Sequence, residues 1–343
     1  MGGGPSTPAL AAAVCEAGGL GFLAAGYRTA DAVRADIAEL RGLTSRPFGL
    51  NIFVPGRPSD DREAIARYAD ALAEEAQRQD VELGDPRNDD DRWEEKLALA
   101  CDERVPVVSF VSGCPDSADV ARLQKAGCAV WVTVTTAAEA VFAADGGADA
   151  LIVQGVEAGG HRASFDDAAP GDDGLLALLQ LVRAVTDSPL VATGGIGTGR
   201  GVAAVLAGGA AAAQLGSAFM LTPEAGTSEA HREAFGRAGR TALTKAFTGR
   251  YARGIENRFM REHDDEAPLA YPEVHNLTAP LRAAARERGD AESFHLWAGQ
   301  AYPLAEAVPA GELVRRLADE AREALRSAEG ALAHRPEGRR QDP

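Results

Sequence analysis

Seven short apolar segments alternate with helical patterns along the first two thirds of the chain, and this alternation restricts the fold more than any other feature. The apolar segments are rich in β-branched and small residues, which is typical of buried parallel strands. They are residues 21–25, 48–54, 105–111, 129–134, 150–153, 190–193 and 211–215. The helical patterns are residues 8–17, 29–43, 62–79, 93–100, 116–126, 136–144, 174–186 and 199–207. Repeated strand–helix units of about 25 residues predict an α/β fold, here a TIM (β/α)8-type barrel with right-handed crossovers.

The chain opens on a loop rather than on a strand. Its first eight residues are MGGGPSTP, and they lead directly into the first predicted helix. A barrel of this type has eight strands, so the first strand is apparently missing. Either the barrel does not close fully, or Met1 is not the true start of the protein.

The composition changes after Leu221, where clear strand patterns stop and polar connections become longer. The sequence predicts a barrel over residues 1–222 and a helical subdomain over 223–310 that covers the strand ends. An amphipathic helix at 311–327 would return to the barrel. The arginine-rich segment 328–343 is predicted to be a disordered tail.

The composition also excludes several kinds of partner. The formal net charge is −16 and no basic block offsets it, which argues against nucleic acid. No apolar run reaches the roughly 18 residues of a membrane span, and no basic start followed by an apolar run indicates a signal peptide. We therefore expect a cytoplasmic protein without membrane contact. Four cysteines without a Cys-x-x-Cys pair are expected to be reduced, buried thiols: Cys15, Cys101, Cys114 and Cys128.

One histidine lies in a glycine-rich loop directly after a predicted strand. The strand 150–153 runs into Gln154-Gly-Val-Glu-Ala-Gly-Gly-His161-Arg162, and α/β barrels build their active sites at this end of the strands. Histidine titrates near neutral pH, which suits general-base or electrostatic work. The residues alone leave open whether His161 is catalytic or only hydrogen-bonds its own loop.

The remaining histidines lack such a context and are interpreted as surface or subdomain residues. They are His231, His263, His275, His295 and His334. No His, Asp and Glu cluster has ligand spacing, so no metal is predicted. The acidic run 80–91 is interpreted as a solvated loop.

Two further strand-to-glycine turns indicate a phosphate site. Gly194 and Gly195 follow the strand at 190–193, while Gly216 and Ser217 follow the strand at 211–215. Backbone N–H groups and a hydroxyl are the donors that a phosphate prefers, and the helix beginning near Gly199 would add its positive dipole end. The spacing does not match a dinucleotide fingerprint.

Taken together, these motifs resemble the nitronate monooxygenase family, formerly called 2-nitropropane dioxygenase. The matching segments are GGGPSTPALAAAVCEAGGLGFLAAGY at 2–27, NIFVP at 51–55, VSFVSGCP at 108–115, QGVEAGGHR at 154–162, GGIGTGRG at 194–201, QLGSAF at 214–219 and FTGRYARGIEN at 247–257. The resemblance implies bound FMN as cofactor and His161 as the catalytic residue. The cofactor-binding residues that it implies are Asn51, Gln154, Gly159, Gly160, Gly194, Gly195, Gln214, Gly216 and Ser217.

The chain departs from the family pattern at a few positions. In the family a strand ending in Pro-Met precedes the first glycine loop, and Met1 matches that methionine. Ala163 stands where a third glycine is common, and Ser217 replaces a common threonine. Within 247–257, the residues Arg250 and Arg253 either contact substrate or join the barrel to the subdomain, and the same alternatives hold for Asn257.

The resemblance implies FMN-dependent oxidation of alkyl nitronates, such as propionate 3-nitronate, by O2 to a carbonyl compound and nitrite. FMN-dependent enoyl-acyl-carrier reductases and NAD(P)H:quinone reductases share much of the motif set and remain an alternative. A non-enzymatic alternative is a flavin-poor remnant or a barrel that only binds a phosphate ligand. The expected partners are a small nitronate and O2, and the expected assembly is a monomer or homodimer.

Overall fold

The computed structural model describes residues 1–237 and 239–333. Its helices are α1 (Pro8–Glu16), α2 (Ala30–Leu43), α3 (Arg62–Ala71), α4 (Ala73–Gln79), α5 (Trp93–Asp102), α6 (Ser117–Ala126), α7 (Ala137–Asp145), α8 (Leu175–Arg183), α9 (Gly199–Ala207), α10 (Glu229–Phe235), α11 (Arg258–His263), α12 (Glu273–Glu287) and α13 (Ala310–Ala333). Its strands are β1 (Phe22–Ala24), β2 (Gly49–Phe53), β3 (Val107–Val111), β4 (Ala129–Val134), β5 (Ala150–Gln154), β6 (Gly160–His161), β7 (Leu190–Thr193), β8 (Ala212–Gln214), β9 (Thr241–Thr244) and β10 (Ala252–Ile255).

Seven of these strands form one parallel sheet in the order β1-β2-β3-β4-β5-β7-β8. All seven predicted strand segments are present, and the α/β class with TIM-type architecture is confirmed. Asn51 pairs with Ser109 on β3, and Thr193 pairs with Gln214 on β8. The carboxyl ends of the strands therefore lie along one rim. In the described part of the chain β1 and β8 are the sheet edges and do not pair with each other.

The helices pack on the sheet through periodic apolar faces. In α2, Val33, Ile37 and Leu40 are all buried and join Leu50 of β2 in the main core. Thr29 begins this helix, and its side chain accepts a hydrogen bond from the Ala32 N–H. No helix within residues 1–237 and 239–333 is both long and apolar enough to cross a membrane.

The predicted helical subdomain contains strands as well as helices, so that part of the sequence analysis was wrong. β9 and β10 form an antiparallel sheet with β6, in the order β6-β10-β9. Each of these strands has at most four residues, too few to show an alternating pattern. The pairing of Ala252 with His161 joins segments about 90 residues apart, and local sequence patterns do not report such contacts.

The helix predicted at 311–327 returns to the barrel as α13, which packs against α9 and α1. Glu320 accepts a hydrogen bond from the Gly199 N–H at 2.9 Å. The amino end of α9 thus faces a carboxylate of α13, which occupies the Gly199 N–H. Residues 328–333 are helical instead of belonging to the predicted tail, and 334–343 lie outside the described residues.

The contact between α9 and α13 predicts a specific sensitivity at Gly199. A Cβ there would lie 2.3 Å from Glu320 Cβ and 2.6 Å from the Leu317 carbonyl oxygen. Gly199→Ala should therefore lower the free energy of unfolding by about 2 kcal/mol, measured by chemical denaturation. Gly330→Ala is the matched control, because nothing lies within 4 Å of its added Cβ and alanine favours a helix by up to about 1 kcal/mol. Equal stability of Gly199→Ala and wild type would contradict this packing.

Candidate active site

His161 lies on the rim formed by the strand ends, at the junction of the two sheets. It is the second residue of β6, and its ring contacts three segments that are distant in sequence. His161 Nε2 is 3.0 Å from Thr248 Oγ1. The ring centroid is 5.5 Å from that of Tyr271 and 5.9 Å from that of Trp297. The structure thus surrounds the predicted catalytic histidine with residues from the second half of the chain.

Further aromatic and cationic side chains surround this position. Tyr27 follows β1, and its ring stacks on His275 with centroids 4.3 Å apart. The Tyr271 hydroxyl donates to the Tyr27 hydroxyl at 3.3 Å. We call the resulting group of six residues the arginine–aromatic cluster. Its members are Tyr27, His161, Arg250, Tyr271, His275 and Arg282.

Arg282 is a buried cation within this cluster, with only 7% of its surface exposed. Its Nη2 donates to the His275 carbonyl at 2.7 Å, and its Nε donates to Thr278 Oγ1 at 3.0 Å. It forms no ion pair with any residue in 1–237 or 239–333. Burial lowers its pKa to about 10, so the guanidinium still carries its charge at neutral pH. A buried charge without a counterion is costly, and an anionic ligand would relieve that cost.

Arg250 is held differently, at the edge of the same cluster. Its Nε donates to both carboxylate oxygens of Asp167, at 2.7 and 2.9 Å. Its guanidinium carbon lies 4.2 Å from the centroid of the Tyr271 ring. Of the two guanidinium groups, Arg250 is therefore already paired with a carboxylate and Arg282 is not.

The environment keeps His161 neutral. Burial lowers the pKa of His161 to about 3, and the positive charges of Arg250 and Arg282 lower it further. Thr248 donates its single hydroxyl proton to the Arg250 carbonyl at 3.2 Å, so its oxygen accepts from His161 Nε2–H. This hydrogen-bond pattern assigns the Nε2–H tautomer and leaves Nδ1 with the lone pair.

The loop that carries His161, residues 154–165, is fixed by a buried amide and a buried guanidinium. Gln154 Oε1 accepts from Arg162 Nη1 and from the Ala163 N–H, both at 3.0 Å, while Gln154 Nε2 donates to the His161 carbonyl. Arg162 also donates to the Gly155 carbonyl at 2.7 Å. The amide of Gln154, predicted to pair with a flavin ring, is therefore bonded to its own loop.

Two acidic residues anchor the ends of this loop to outer helices. Both carboxylate oxygens of Glu157 accept from the Leu175 N–H at the start of α8, at 3.0 Å. Glu139 of α7 accepts from the Phe165 N–H at 2.8 Å. Glu157 thus acts as a remote cap for α8, which has no side-chain cap of its own.

The two predicted phosphate turns are neighbours, because the strands that precede them are paired. Gly194 and Gly195 both have positive φ angles, 116° and 65°, which favour glycine. Ser217 Oγ accepts from the Gly299 N–H at 2.9 Å, so its own proton is free for another acceptor. Gln214 Oε1 at the end of β8 is buried without a hydrogen-bond partner.

The glycines and the amide that were predicted to contact the flavin ring differ in their surroundings. A Cβ on Gly159 would lie 2.4 Å from Gly299 N, so this glycine permits a close backbone contact within the protein. A Cβ on Gly160 would meet nothing within 4 Å, which leaves that position open toward the rim. Asn51 Nδ2 donates to Ser109 Oγ at 2.9 Å between two strand ends. Gly216 lies next to the Met1 side chain. A Cβ added to Gly216 would lie 3.6 Å from the Met1 sulfur.

Sequence analysis missed most of the cluster. His231, His275 and His295 lie in the subdomain, one of the two predicted alternatives, and burial is the main cause that lowers the pKa of each. Arg282 had no local signal, because α12 shows only an ordinary amphipathic pattern. In the motif 247–257, Arg253 donates to the Val156 carbonyl and Asn257 donates to the Phe294 carbonyl. Arg253 thus joins the barrel to the subdomain, as one of the alternatives predicted, whereas Asn257 bonds within the subdomain.

Two surface cavities lie away from the arginine–aromatic cluster. One of about 240 Å³ is lined by the Gly197–Thr198 turn together with Arg316 and Glu320 of α13. Another of about 380 Å³ lies beside Phe48, at the opposite end of the strands. Neither is lined by a member of the arginine–aromatic cluster.

Comparison with known proteins settles the family. The family model described as "Nitronate monooxygenase" matches residues 1–320. A nitronate monooxygenase of Pseudomonas aeruginosa is 42% identical, with 93% of this chain and 94% of that protein covered. The chain belongs to the nitronate monooxygenase family. It is therefore an enzyme of an oxidoreductase family, and the predicted family and enzyme class are confirmed.

Other relatives and structures agree with this membership. A nitronate monooxygenase of Paraburkholderia phytofirmans is 39% identical over 94% of this chain and 91% of that protein. The solved structure of nitroalkane oxidase from Streptomyces ansochromogenes is 52% identical, with a TM-score of 0.92 and coverage of 96% and 95%. FabK from Thermotoga maritima is 28% identical with a TM-score of 0.76, covering 96% of this chain and 94% of that one. These two solved structures thus share the fold seen here.

The buried histidines predict acid-sensitive stability. The pKa of His161 is lowered to about 3 and that of His231 to about 4, chiefly by burial. The unfolded chain takes up these protons near pH 6.5, so stability falls as the pH drops from about 7 to about 4. Each such histidine should cost about 2 kcal/mol at pH 5 relative to pH 7.5.

Denaturation at pH 7.5 and 5.0 tests this expectation, with His231→Phe as the comparison. The variant should lose about 2 kcal/mol less than wild type between the two pH values, because it lacks one proton-binding group of the unfolded state. The comparison uses only the difference between pH values, so a general loss of stability in the variant does not affect it. An identical pH dependence in both proteins would show that His231 titrates normally.

Proposed function

We propose that the protein oxidises alkyl nitronates with FMN and O2, giving a carbonyl compound and nitrite. The observation that carries this proposal is the buried, unpaired guanidinium of Arg282 in the same cluster as a neutral His161. A nitronate is an anion, and such a cluster favours an anion over a neutral substrate. Membership of the nitronate monooxygenase family supports the same substrate class.

The residues of the rim suit FMN. The neighbouring turns at Gly194–Gly195 and Gly216–Ser217 would hold its phosphate, and the free proton of the Ser217 hydroxyl would point to a phosphate oxygen. Gln214 Oε1 is a buried acceptor without a partner and would take a ring N–H. When bound, FMN supplies the electron acceptor and the reaction with O2.

The protein's own contribution is to bind and orient the anion. Arg282 offers charge without a competing carboxylate, while Asp167 already neutralises Arg250. His161 presents Nδ1 as its free ring nitrogen, because Nε2 is bonded to Thr248. The Tyr27 hydroxyl adds a neutral donor beside the arginines, because it accepts from Tyr271 and keeps its own proton free. Arg282 and the Tyr27 hydroxyl can donate to the anionic nitronate oxygens without a proton transfer, whereas the lone pair of His161 Nδ1 is not a donor.

The low pKa of His161 favours a nitronate over a neutral nitroalkane as substrate. A base whose conjugate acid has a pKa of about 3 is poorly suited to removing a proton from carbon near pH 7. A nitronate has already lost that proton. At pH 7, kcat/KM should therefore be at least about 100-fold higher for propionate 3-nitronate than for 3-nitropropionate, measured by oxygen consumption. Similar values for both forms would assign His161 a general-base role.

Anaerobic absorbance titration tests the reaction itself. Purified protein with bound flavin should bleach on addition of propionate 3-nitronate, and His161→Asn should bleach at least 10-fold more slowly while retaining its flavin. Bleaching by NADH or NADPH but not by the nitronate would support the reductase alternative. A protein purified without flavin, and unable to take up FMN, would contradict the cofactor assignment.

Arg282 provides a separate test of anion binding. Arg282→Gln should raise KM for the nitronate about 10-fold or more, because it removes the only cluster charge that lacks a carboxylate partner. Arg282→Lys should recover part of the loss. Arg286→Gln removes a charge one turn later on α12, where the side chain is exposed, and is the matched control. Equal KM values for Arg282→Gln and wild type would refute the proposed role.

A further inference from the structure

Tyr27, a member of the arginine–aromatic cluster, has a left-handed backbone conformation. Its φ angle is 65°, a value that non-glycine residues seldom adopt without support from their surroundings. The ring stacks on His275 and meets Phe53 edge-on, with centroids 5.2 Å apart in the second contact. The side chain is nevertheless 40% exposed. Packing of the ring therefore accounts for only part of what holds Tyr27 in place.

The backbone of Tyr27 is bonded to a residue 64 positions later in the chain. The Tyr27 N–H donates to Asp91 Oδ1 at 3.1 Å. The other carboxylate oxygen, Oδ2, lies 2.7 Å from Lys96 Nζ on α5. The Lys96 side chain is fully buried, whereas 20% of the Asp91 side chain is exposed. Asp91 thus joins the Tyr27 backbone to a buried cation, with one carboxylate oxygen for each.

The ion pair confines the Asp91 carboxylate to one position. A buried ammonium is costly without a carboxylate beside it, so Asp91 cannot turn to water without leaving Lys96 unpaired. Asp91 and Arg92 both have left-handed φ angles, 50° and 57°, and α5 begins directly after them. Burial lowers the pKa of Lys96 and raises that of Asp91, while the attraction between the two groups opposes both shifts. Removal of either charge would therefore leave the other one without its partner.

The acidic run at residues 80–91 also binds α12. Asn276 Nδ2 donates to the Arg87 carbonyl at 2.8 Å and to Asp89 Oδ2 at 3.0 Å. Asn276 directly follows His275, the member of the arginine–aromatic cluster whose ring stacks on the tyrosine. The run is therefore bonded to both sides of this stacked pair, instead of forming only a solvated loop.

We propose that Asp91 and Lys96 are positioning residues for nitronate binding and act through Tyr27. This inference rests on the proposed function, in which the Tyr27 hydroxyl donates to the anionic substrate. The hydroxyl accepts from Tyr271 at 3.3 Å, so its own proton is free for the nitronate. A shift of the ring by about 1 Å is enough to lose such a hydrogen bond. The ion pair prevents that shift through the Tyr27 backbone, not through a substrate contact of its own.

Steady-state oxygen consumption with propionate 3-nitronate separates positioning from general stability. In the flavin-bound full-length protein, Asp91→Ala should raise KM about 10-fold and change kcat less than about twofold, because one hydrogen bond to the substrate is lost. Tyr27→Phe should raise KM by a similar factor, and addition of Asp91→Ala should raise it no further. Independent, multiplying effects of the two substitutions overturn the proposal.

Lys96→Met tests the ion pair and gives a second variant in case Asp91→Ala does not fold. The Asp91 carboxylate would turn to water, so KM should rise at least about 5-fold. Addition of Asp91→Asn removes the unpaired charge, keeps an acceptor oxygen for the Tyr27 N–H and should recover most of the loss. Glu94→Gln is the matched control, because it breaks an exposed ion pair of α5 with Arg122. No recovery in the double variant, or an equal rise in KM with Glu94→Gln, overturns the role of the ion pair.

Hydrogen exchange at the Tyr27 amide gives a readout that does not depend on turnover. It can be measured by mass spectrometry of peptides that cover residues 25–30. Asp91→Ala should exchange this amide at least about 10-fold faster than wild type, whereas Glu94→Gln should not. A wild type that does not oxidise the nitronate refutes the proposed function, and the exchange rates still decide whether Asp91 holds Tyr27. Unchanged exchange in Asp91→Ala overturns this inference even where the nitronate is oxidised.

Discussion

The His161 loop depends on one buried cation. The Arg162 side chain is 1% exposed, and its guanidinium donates to Gln154 Oε1 and to the carbonyls of Gly155 and Gly171. Gly155 lies directly after β5 and Gly171 lies in the loop before α8, so neither carbonyl belongs to a strand. A buried guanidinium without such acceptors would cost several kcal/mol. The buried charge of Arg162 therefore needs the loop conformation, and the loop conformation needs Arg162. Arg162 thus fixes the position of His161, the residue before it.

The cost of burying a guanidinium also applies at Arg282, but there it has a different consequence. Arg162 donates through its Nη groups to Gln154 Oε1 and to the carbonyls of Gly155 and Gly171, while Arg282 donates to Thr278 and His275; neither has a carboxylate partner in the described residues. One buried arginine thus maintains structure, and the other retains unused charge beside His161. The neutral state of His161 follows from this arrangement, since a third positive charge in the cluster would be repelled.

Sequence alone predicted the barrel strands well, because buried parallel strands such as β4 and β7 are continuous apolar runs. It also located His161, because glycine-rich loops after strands are local features. It could not find Arg282 or His275, whose importance arises from packing of α12 over a rim more than 100 residues away in sequence. The antiparallel pairing of β6 with β10 was missed for the same reason. Sequence did not predict that Gln154 bonds its own loop, because an amide gives no sign of which neighbour it will bond.

The two edges of the main sheet are unusually short. β1 and β8 have three residues each, whereas the strands between them have four to six. An edge strand exposes unpaired backbone groups, and long flat edges recruit strands from other molecules into aggregates. A strand of three residues exposes few unpaired backbone groups, which is too few to hold a strand from another molecule. The incomplete ring of strands is therefore compatible with a protein that stays dispersed at high concentration and does not seed intermolecular β-sheet.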